Sequence, residues 1–174
     1  MIMKSWIQVL VLLICVTGSL IACTKSDDVA NENLSTEMQA LYDAAEGGNA
    51  TAQIALSNYY FLGNNGAEAK NPQKGIEWLQ KAVDQKSAEA QYLMSELYIT
   101  PEDYGLKANE ELAKKLLLAS AEQHYSIAQL AVGMRYKLGT HGFPQDLVQA
   151  KAWFEKSVEA GNDSAQYQLD HVNE

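Results

Sequence analysis

The residues that could carry chemistry in this chain are few and scattered. Its 174 residues include two cysteines and three histidines, too few for a zinc site with several Cys or His ligands. None of the histidines, His124, His141 and His171, has a second histidine, a cysteine or paired acids at ligand spacing. The sequence also lacks a Gly-x-Ser-x-Gly nucleophile turn and a phosphate-binding loop. We therefore predict a protein that is not an enzyme, with no catalytic residue, no bound metal and no cofactor.

The acidic residues outnumber the basic ones and give the chain a formal net charge of -9. Three adjacent pairs of acids stand out: Asp27-Asp28, Glu102-Asp103 and Glu110-Glu111. We interpret them as solvated charges or as charges at helix N-termini, where they complement the helix dipole, rather than as acid–base pairs. The charge argues against a nucleic-acid partner, which needs a basic patch, and favours a basic protein partner.

Both cysteines lie within the first 23 residues. The chain opens with a short segment, Met1–Trp6, whose only charge is Lys4, and an apolar run follows over Ile7–Thr17. This order predicts a secretory signal peptide over residues 1–22. The run is too short for a membrane-spanning helix, which needs about 20 apolar residues.

The end of this segment, Leu20-Ile21-Ala22-Cys23, resembles the lipobox of bacterial lipoproteins. The resemblance implies lipidation of Cys23, which becomes the first mature residue and the anchor to the membrane. Because Thr24 rather than Asp follows, it also implies an outer-membrane lipoprotein in the bacterial cell envelope, on the periplasmic face or the cell surface. The alternative is an ordinary signal peptide with an unrelated cysteine. Residues 23–34 are polar and aperiodic, which predicts a flexible tether.

An Ala-Gln dipeptide recurs along the rest of the chain at intervals of 38, 38 and 37 residues. Its alanines are Ala52, Ala90, Ala128 and Ala165. A large aliphatic residue follows each alanine after four positions, and a tyrosine follows the first three after eight positions. Residues at this spacing share one face of a helix, so the pattern predicts the buried stripe of the first helix in each repeat.

A second helix is predicted in each repeat, beginning after Asn71, Asn109 or Asp146, which are good N-cap residues. A half-repeat flanks the set at each end, with one helix from Ser35 to Gly48 and another over Asp163–Val172. The result is about eight helices and no strand. Residues 35–174 are therefore predicted to form an all-α fold, a short right-handed α-solenoid of antiparallel helix pairs.

The full pattern reads Ala-Gln-x-x-Leu-Ser/Gly-x-x-Tyr, a loop, Asp or Asn, and then Ala-x-x-Trp. It resembles the Sel-1-like repeat, a relative of the tetratricopeptide repeats, over roughly residues 40–172. The third repeat matches best, through Tyr136, Asp146 and Trp153. The middle repeat departs most, because Pro101 replaces a loop glycine and Leu116 replaces the tryptophan. Such a resemblance is specific for the fold and less so for the function.

On the first helices, several residues that point away from the buried stripe are apolar, although a solvated face should be polar. We predict that they line a groove for a partner protein. The predicted groove comprises Asn58, Tyr59, Tyr92, Glu96, Leu130, Met134 and Tyr167. The alternative is that these residues are core, because a helix between two neighbours is buried on both sides.

These observations favour an outer-membrane-anchored lipoprotein that acts as a protein–protein interaction scaffold or adaptor. The family resemblance suggests two alternatives. Some exported members are immunity proteins that neutralise envelope-targeting effectors, and some cysteine-rich relatives have been discussed as hydrolases of β-lactams or cell-wall fragments. Those relatives carry paired cysteines in each repeat, and this chain has none. A periplasmic regulator bound to a membrane sensor is a further possibility.

Overall fold

The computed structural model describes residues 25–63, 70–101 and 104–173, with side chains from Thr36 onward. The predicted signal peptide and Cys23 lie outside these ranges, so lipidation stays a prediction. All regular structure in the described residues is helical, as the sequence predicts. The helices are α1 (Lys25–Glu46), α2 (Ala50–Leu62), α3 (Pro72–Asp84), α4 (Ala88–Ile99), α5 (Glu110–Glu122), α6 (Ser126–Leu138), α7 (Leu147–Glu159) and α8 (Asp163–Asp170).

The chain divides into two compact units, residues 1–40 and 41–174. In the first unit, the described backbone is the beginning of α1. This helix begins at Lys25, well before the predicted start at Ser35, so the described part of the predicted tether is helical rather than irregular. The segment contains neither proline nor glycine, the residues that most strongly interrupt a helix.

In the second unit, helices pack in pairs, α2 with α3, α4 with α5 and α6 with α7, and α8 packs against α7. The predicted stripe is buried, because Ala90, Ala128 and Ala165 are each 0% exposed. The aliphatic residues four positions on are equally covered in the three full repeats: Leu56, Met94 and Val132. The predicted α-solenoid is confirmed.

The predicted N-caps join the two helices of each repeat. A side-chain oxygen of Asn71, Asn109 or Asp146 accepts a hydrogen bond from a backbone N–H of its helix at 3.0–3.1 Å. The backbone N–H of the same cap donates to the carbonyl of the repeat tyrosine at 2.9–3.2 Å. These carbonyls belong to Tyr60, Tyr98 and Tyr136. The tyrosine that ends the buried stripe thus also fixes the start of the second helix.

A buried glutamine follows the repeat alanine in α2, α4 and α6. Gln53, Gln91 and Gln129 are 4%, 8% and 1% exposed. The side-chain Nε2 of Gln53 donates to the carbonyl of Ala45 at 2.9 Å, and that of Gln129 donates to the carbonyl of Ala121 at 3.2 Å. These bonds tie a first helix to the end of the preceding second helix.

A second glutamine closes the first two repeats. Gln85, just after α3, donates from Nε2 to Oε1 of Gln53 at 2.7 Å. Gln123, just after α5, donates in the same way to Gln91, also at 2.7 Å. We call each of these contacts a glutamine pair. The Ala-Gln dipeptide marks the repeat in the sequence, but its spacing does not predict this bonding.

Candidate functional site

The predicted groove residues lie on the first helices, where the buried stripe holds each helix in place. Asn58 is exposed, and Tyr167 is 63% exposed. The other five are partly buried: Tyr59, Tyr92, Glu96, Leu130 and Met134. None of the seven side chains is fully buried, and they contact different neighbours.

Glu96 of α4 pairs with Arg135 of α6, the only arginine in the sequence. One guanidinium nitrogen, Nη2, donates to both carboxylate oxygens at 3.2 and 3.3 Å. The arginine side chain is 19% exposed and the glutamate side chain 37% exposed. The pair joins two consecutive first helices across a partly solvated surface. Arg135 lies one position after Met134 and is not among the predicted groove residues.

Tyr92 lies beside this ion pair and contacts the ring of Tyr125 at a centroid distance of 5.8 Å. Burial raises the pKa of Tyr92, the negative charge of Glu96 raises it further, and Arg135 acts in the opposite direction. Burial also raises the pKa of Tyr125, with smaller contributions from Glu89 and Tyr92. Both phenols therefore remain neutral hydrogen-bonding groups at physiological pH.

A cleft of about 320 Å³ lies between α2 and α4. It brings together two residues of the predicted groove, Asn58 and Glu96. The rest of the lining is mainly apolar and includes Leu62, Leu93 and Tyr104. Leu62, at the edge of the cleft, is 83% exposed, so the apolar lining continues to the solvent-facing surface. We call this feature the α2–α4 cleft.

The remaining groove residues have other neighbours. Leu130 and Met134 pack against the buried cluster that contains Phe154, so for these two the alternative of a core role fits better. The Tyr59 ring contacts Tyr60 edge-on at 5.5 Å. Tyr167 stacks on His171 with centroids 4.3 Å apart.

The arrangement offers contact surface rather than reactive groups. Within the described ranges, three or more His, Cys, Asp or Glu residues never gather closely enough to hold a metal ion. His141 pairs with Glu110 at 3.4 Å and so links the loop before α7 to the start of α5. None of the helices described between residues 25 and 173 is both long and apolar enough to span a membrane.

Comparison with known families identifies the repeat. A family model described as Sel1 repeat matches residues 50–87, 88–125 and 126–162, more than half of the chain. The chain belongs to the Sel1 repeat family. The matched segments agree with the helix pairs α2–α3, α4–α5 and α6–α7.

This Sel1 repeat protein is similar to two solved structures and to one curated protein. A Sel1 repeat protein from Oxalobacter formigenes is 30% identical, with a TM-score of 0.67, over 78% of this chain and 98% of that one. Cysteine rich protein B of Helicobacter pylori is 20% identical, with a TM-score of 0.60, over 79% and 95% of the two chains, a likeness of fold alone. Chitin synthase regulatory factor 3 of Schizosaccharomyces pombe is 29% identical over 119 residues.

The alignment with chitin synthase regulatory factor 3 covers 67% of this chain and 13% of the fungal protein. The chain thus spans a small part of the length of the curated relative.

Sel1 repeat proteins are generally protein-interaction scaffolds, and their fold is typically non-enzymatic. The first-helix surface of this Sel1 repeat protein is accordingly a candidate site for a protein partner.

Proposed function

We propose that this Sel1 repeat protein is a lipid-anchored adaptor of the bacterial cell envelope that binds another protein in the α2–α4 cleft. The observation that carries the proposal is the exposed Leu62 beside a mainly apolar cleft. An apolar side chain of a partner would cover Leu62 and Leu93 and remove their surface from water. Asn58 and Thr100 line the same cleft and would supply hydrogen bonds at its edge.

The scaffold is suited to binding with little rearrangement. Leu79 and Leu97, which form the floor of the cleft, are 0% and 9% exposed and belong to the core cluster of this part of the solenoid. A preformed surface loses less conformational entropy on binding than a flexible one. Binding would therefore cause small changes of side-chain rotamer rather than a movement of helices.

The charge of the chain favours a partner with a basic surface. The formal net charge is -9, and the attraction comes from the chain as a whole, because Glu96 in the cleft is already paired with Arg135. A negative surface accelerates the association of a basic protein, and this effect weakens as salt is added. We expect the partner to present an apolar side chain flanked by lysine or arginine.

Anchoring through Cys23 completes the proposal. The lipobox-like segment that ends at Cys23 supports it, and a tethered protein meets membrane partners at a raised effective concentration. Labelled palmitate should be incorporated into the wild type and not into Cys23→Ser. The wild type should also sediment with outer membranes. Equal labelling of both proteins, or sedimentation of the wild type with the soluble fraction, would contradict the anchor.

Site-specific photocrosslinking in whole cells tests the binding surface. A photoreactive amino acid at Asn58 probes the cleft, and the same residue at Val148, which is 78% exposed on a second helix, is the matched control. We expect a crosslinked protein from position 58 that disappears in Leu62→Ser. Crosslinks from position 148 alone would refute the proposed surface.

Identification of the crosslinked protein, a deletion strain and a turnover assay together separate the alternatives. Identification of the crosslinked protein as a toxic effector, together with loss of self-protection on deletion, would make the chain an immunity protein. Turnover of a β-lactam or a cell-wall fragment by the purified protein would instead show a hydrolase and contradict the adaptor.

A further inference from the structure

The third repeat lacks the glutamine that completes a pair in the first two repeats. Ala160 occupies the position equivalent to Gln85 and Gln123. The Oε1 atom of Gln129 consequently accepts no hydrogen bond from any residue that the structure describes, although Gln129 is only 1% exposed. A buried amide oxygen without a donor is unfavourable, and the other two repeats supply that donor from within the chain.

The Gln129 side chain lines a cleft of about 650 Å³, formed by the ends of α5 and α7. Trp153 and Lys156 form one wall, with the lysine Nζ 3.9 Å from the ring centroid. The exposed acids Glu122 and Glu159 also line it. The cleft thus combines an aromatic wall with a lysine over its ring, two acids at the rim and a buried hydrogen-bond acceptor, and a few convergent polar groups in a cleft are features of a binding site.

The first repeat shows which chemical group occupies the equivalent position beside its buried glutamine. There, Trp78 and Lys81 form an equivalent aromatic–lysine pair, with 3.6 Å from Nζ to the ring centroid. Beside it, Nε2 of Gln85 donates both to Oε1 of Gln53 at 2.7 Å and to the carbonyl of Lys81 at 3.4 Å. The occupant is a primary carboxamide, whose two N–H groups meet two acceptors.

The second repeat forms the same two hydrogen bonds, although Leu116 and Ala119 replace the tryptophan and the lysine. Nε2 of Gln123 donates to Oε1 of Gln91 at 2.7 Å and to the carbonyl of Ala119 at 3.1 Å. The backbone that carries the glutamine is also alike, with φ and ψ of -80° and 3° at Gln85, -84° and 15° at Gln123, and -82° and 9° at Ala160. The third repeat therefore keeps the geometry of the pair and lacks only the side chain.

We propose that the third repeat holds a binding subsite for a glutamine side chain of the partner protein, whose carboxamide donates to Oε1 of Gln129. The inference rests on the proposed binding function and adds a specificity-determining residue to it. A carboxamide is favoured over a single-donor group because, in both completed pairs, the same nitrogen meets a side-chain and a backbone acceptor.

A peptide titration followed by NMR tests the subsite in the full chain, held in detergent micelles. The probe is acetyl-Ala-Gln-Ala N-methylamide, whose only primary carboxamide is the glutamine side chain. The matched control is the same peptide with Leu in place of Gln. We expect the Gln peptide to shift the side-chain signals of Gln129 and Trp153 and to bind at least tenfold more tightly than the Leu peptide.

The substitution Ala160→Gln provides the decisive control. It should complete the pair from within the chain and abolish the shift, without loss of folding because position 160 is exposed. Conversely, Gln123→Ala should free the acceptor of Gln91, although without the aromatic wall of the third repeat, and create a second responding signal. Equal binding of both peptides, an undiminished response in Ala160→Gln, or tighter binding of a Lys peptide would overturn the proposal.

The peptide titration and the crosslinking experiment test the subsite and the adaptor function separately. If neither peptide shifts Gln129 while crosslinking from position 58 persists, only the subsite is refuted. If the Gln peptide binds and crosslinking from position 58 fails, the subsite stands and the α2–α4 cleft is refuted as the partner surface.

Discussion

The ring of Phe154 in α7 packs directly onto the backbone of Gly133 in α6. A Cβ atom at position 133 would lie 2.5 Å from Cδ1 and Cε1 of that ring. Phe154 is 0% exposed, so its ring is enclosed by other residues and cannot turn out into solvent. The close approach of α6 and α7 therefore depends on the absence of a side chain at position 133.

Gly133→Ala should therefore destabilise the protein, although alanine is usually the better helix former by about 1 kcal/mol. Overpacking a core of this density costs about 1–3 kcal/mol. Urea unfolding measures the difference, and Thr51→Ala, at an exposed position of α2, is the control for helix propensity. A gain of stability in Gly133→Ala would show that α6 and α7 can move apart. Phe154→Leu in the same chain should relieve the strain.

Two residues after the ends of α3 and α5, the chain has left-handed backbone at residues that are not glycine, Lys86 with φ of 62° and His124 with φ of 63°. The equivalent residue in the third repeat is Gly161, with φ of 85°. A side chain in this conformation costs about 1 kcal/mol or more, which glycine avoids. Lys86→Gly should therefore raise the unfolding free energy by about 0.5–1 kcal/mol. Gly161→Ala should lower it by a similar amount, and thermal melts of both variants test the sign.

The Glu96–Arg135 pair should contribute a measurable coupling energy. A double-mutant cycle with Glu96→Gln and Arg135→Met keeps most of the side-chain packing and isolates the ionic interaction. We expect about 0.5–1 kcal/mol in low salt, decreasing as salt is added, because both side chains keep some contact with solvent. The exposed pair Lys151–Glu155, at 3.9 Å, is the matched control and should show almost no coupling. Equal coupling in the two pairs would contradict a special role for Glu96.

The sequence predicts the fold of this protein better than its site, for a physical reason. The buried alanines and the caps Asn71, Asn109 and Asp146 act within one repeat, where spacing alone fixes their surroundings. The predicted groove depends on neighbouring helices. Met134 occupies the same repeat position as Asn58, but it packs against the cluster of Phe154, whereas Asn58 is exposed. The repeat pattern carries no information on such differences between repeats.

The glutamine pairs predict a stability change that requires no ligand. Ala160→Gln should raise the unfolding free energy by about 1 kcal/mol, because a buried acceptor gains its donor. Gln123→Ala should lower it by about 1–3 kcal/mol, because Gln91 then keeps a buried acceptor without a partner. Ala119→Gln, in the last turn of α5, is the control for adding an amide elsewhere. Similar stability of Ala160→Gln and the wild type would show that the added amide does not form the pair.

The raised pKa of Tyr92 predicts a loss of stability at alkaline pH. Burial and Glu96 favour the neutral phenol in the folded state, so the folded protein binds the phenolic proton more tightly than the unfolded chain. This contribution is fully present below the ordinary pKa of 10.0 and is lost as pH rises through the higher folded value. The unfolding free energy of the wild type should therefore fall more steeply above pH 10.0 than that of Tyr92→Phe. Denaturant titrations at several pH values measure the difference, and Tyr167→Phe, which alters a phenol that is 63% exposed, is the matched control. Parallel curves for the wild type and Tyr92→Phe would contradict the assigned shift.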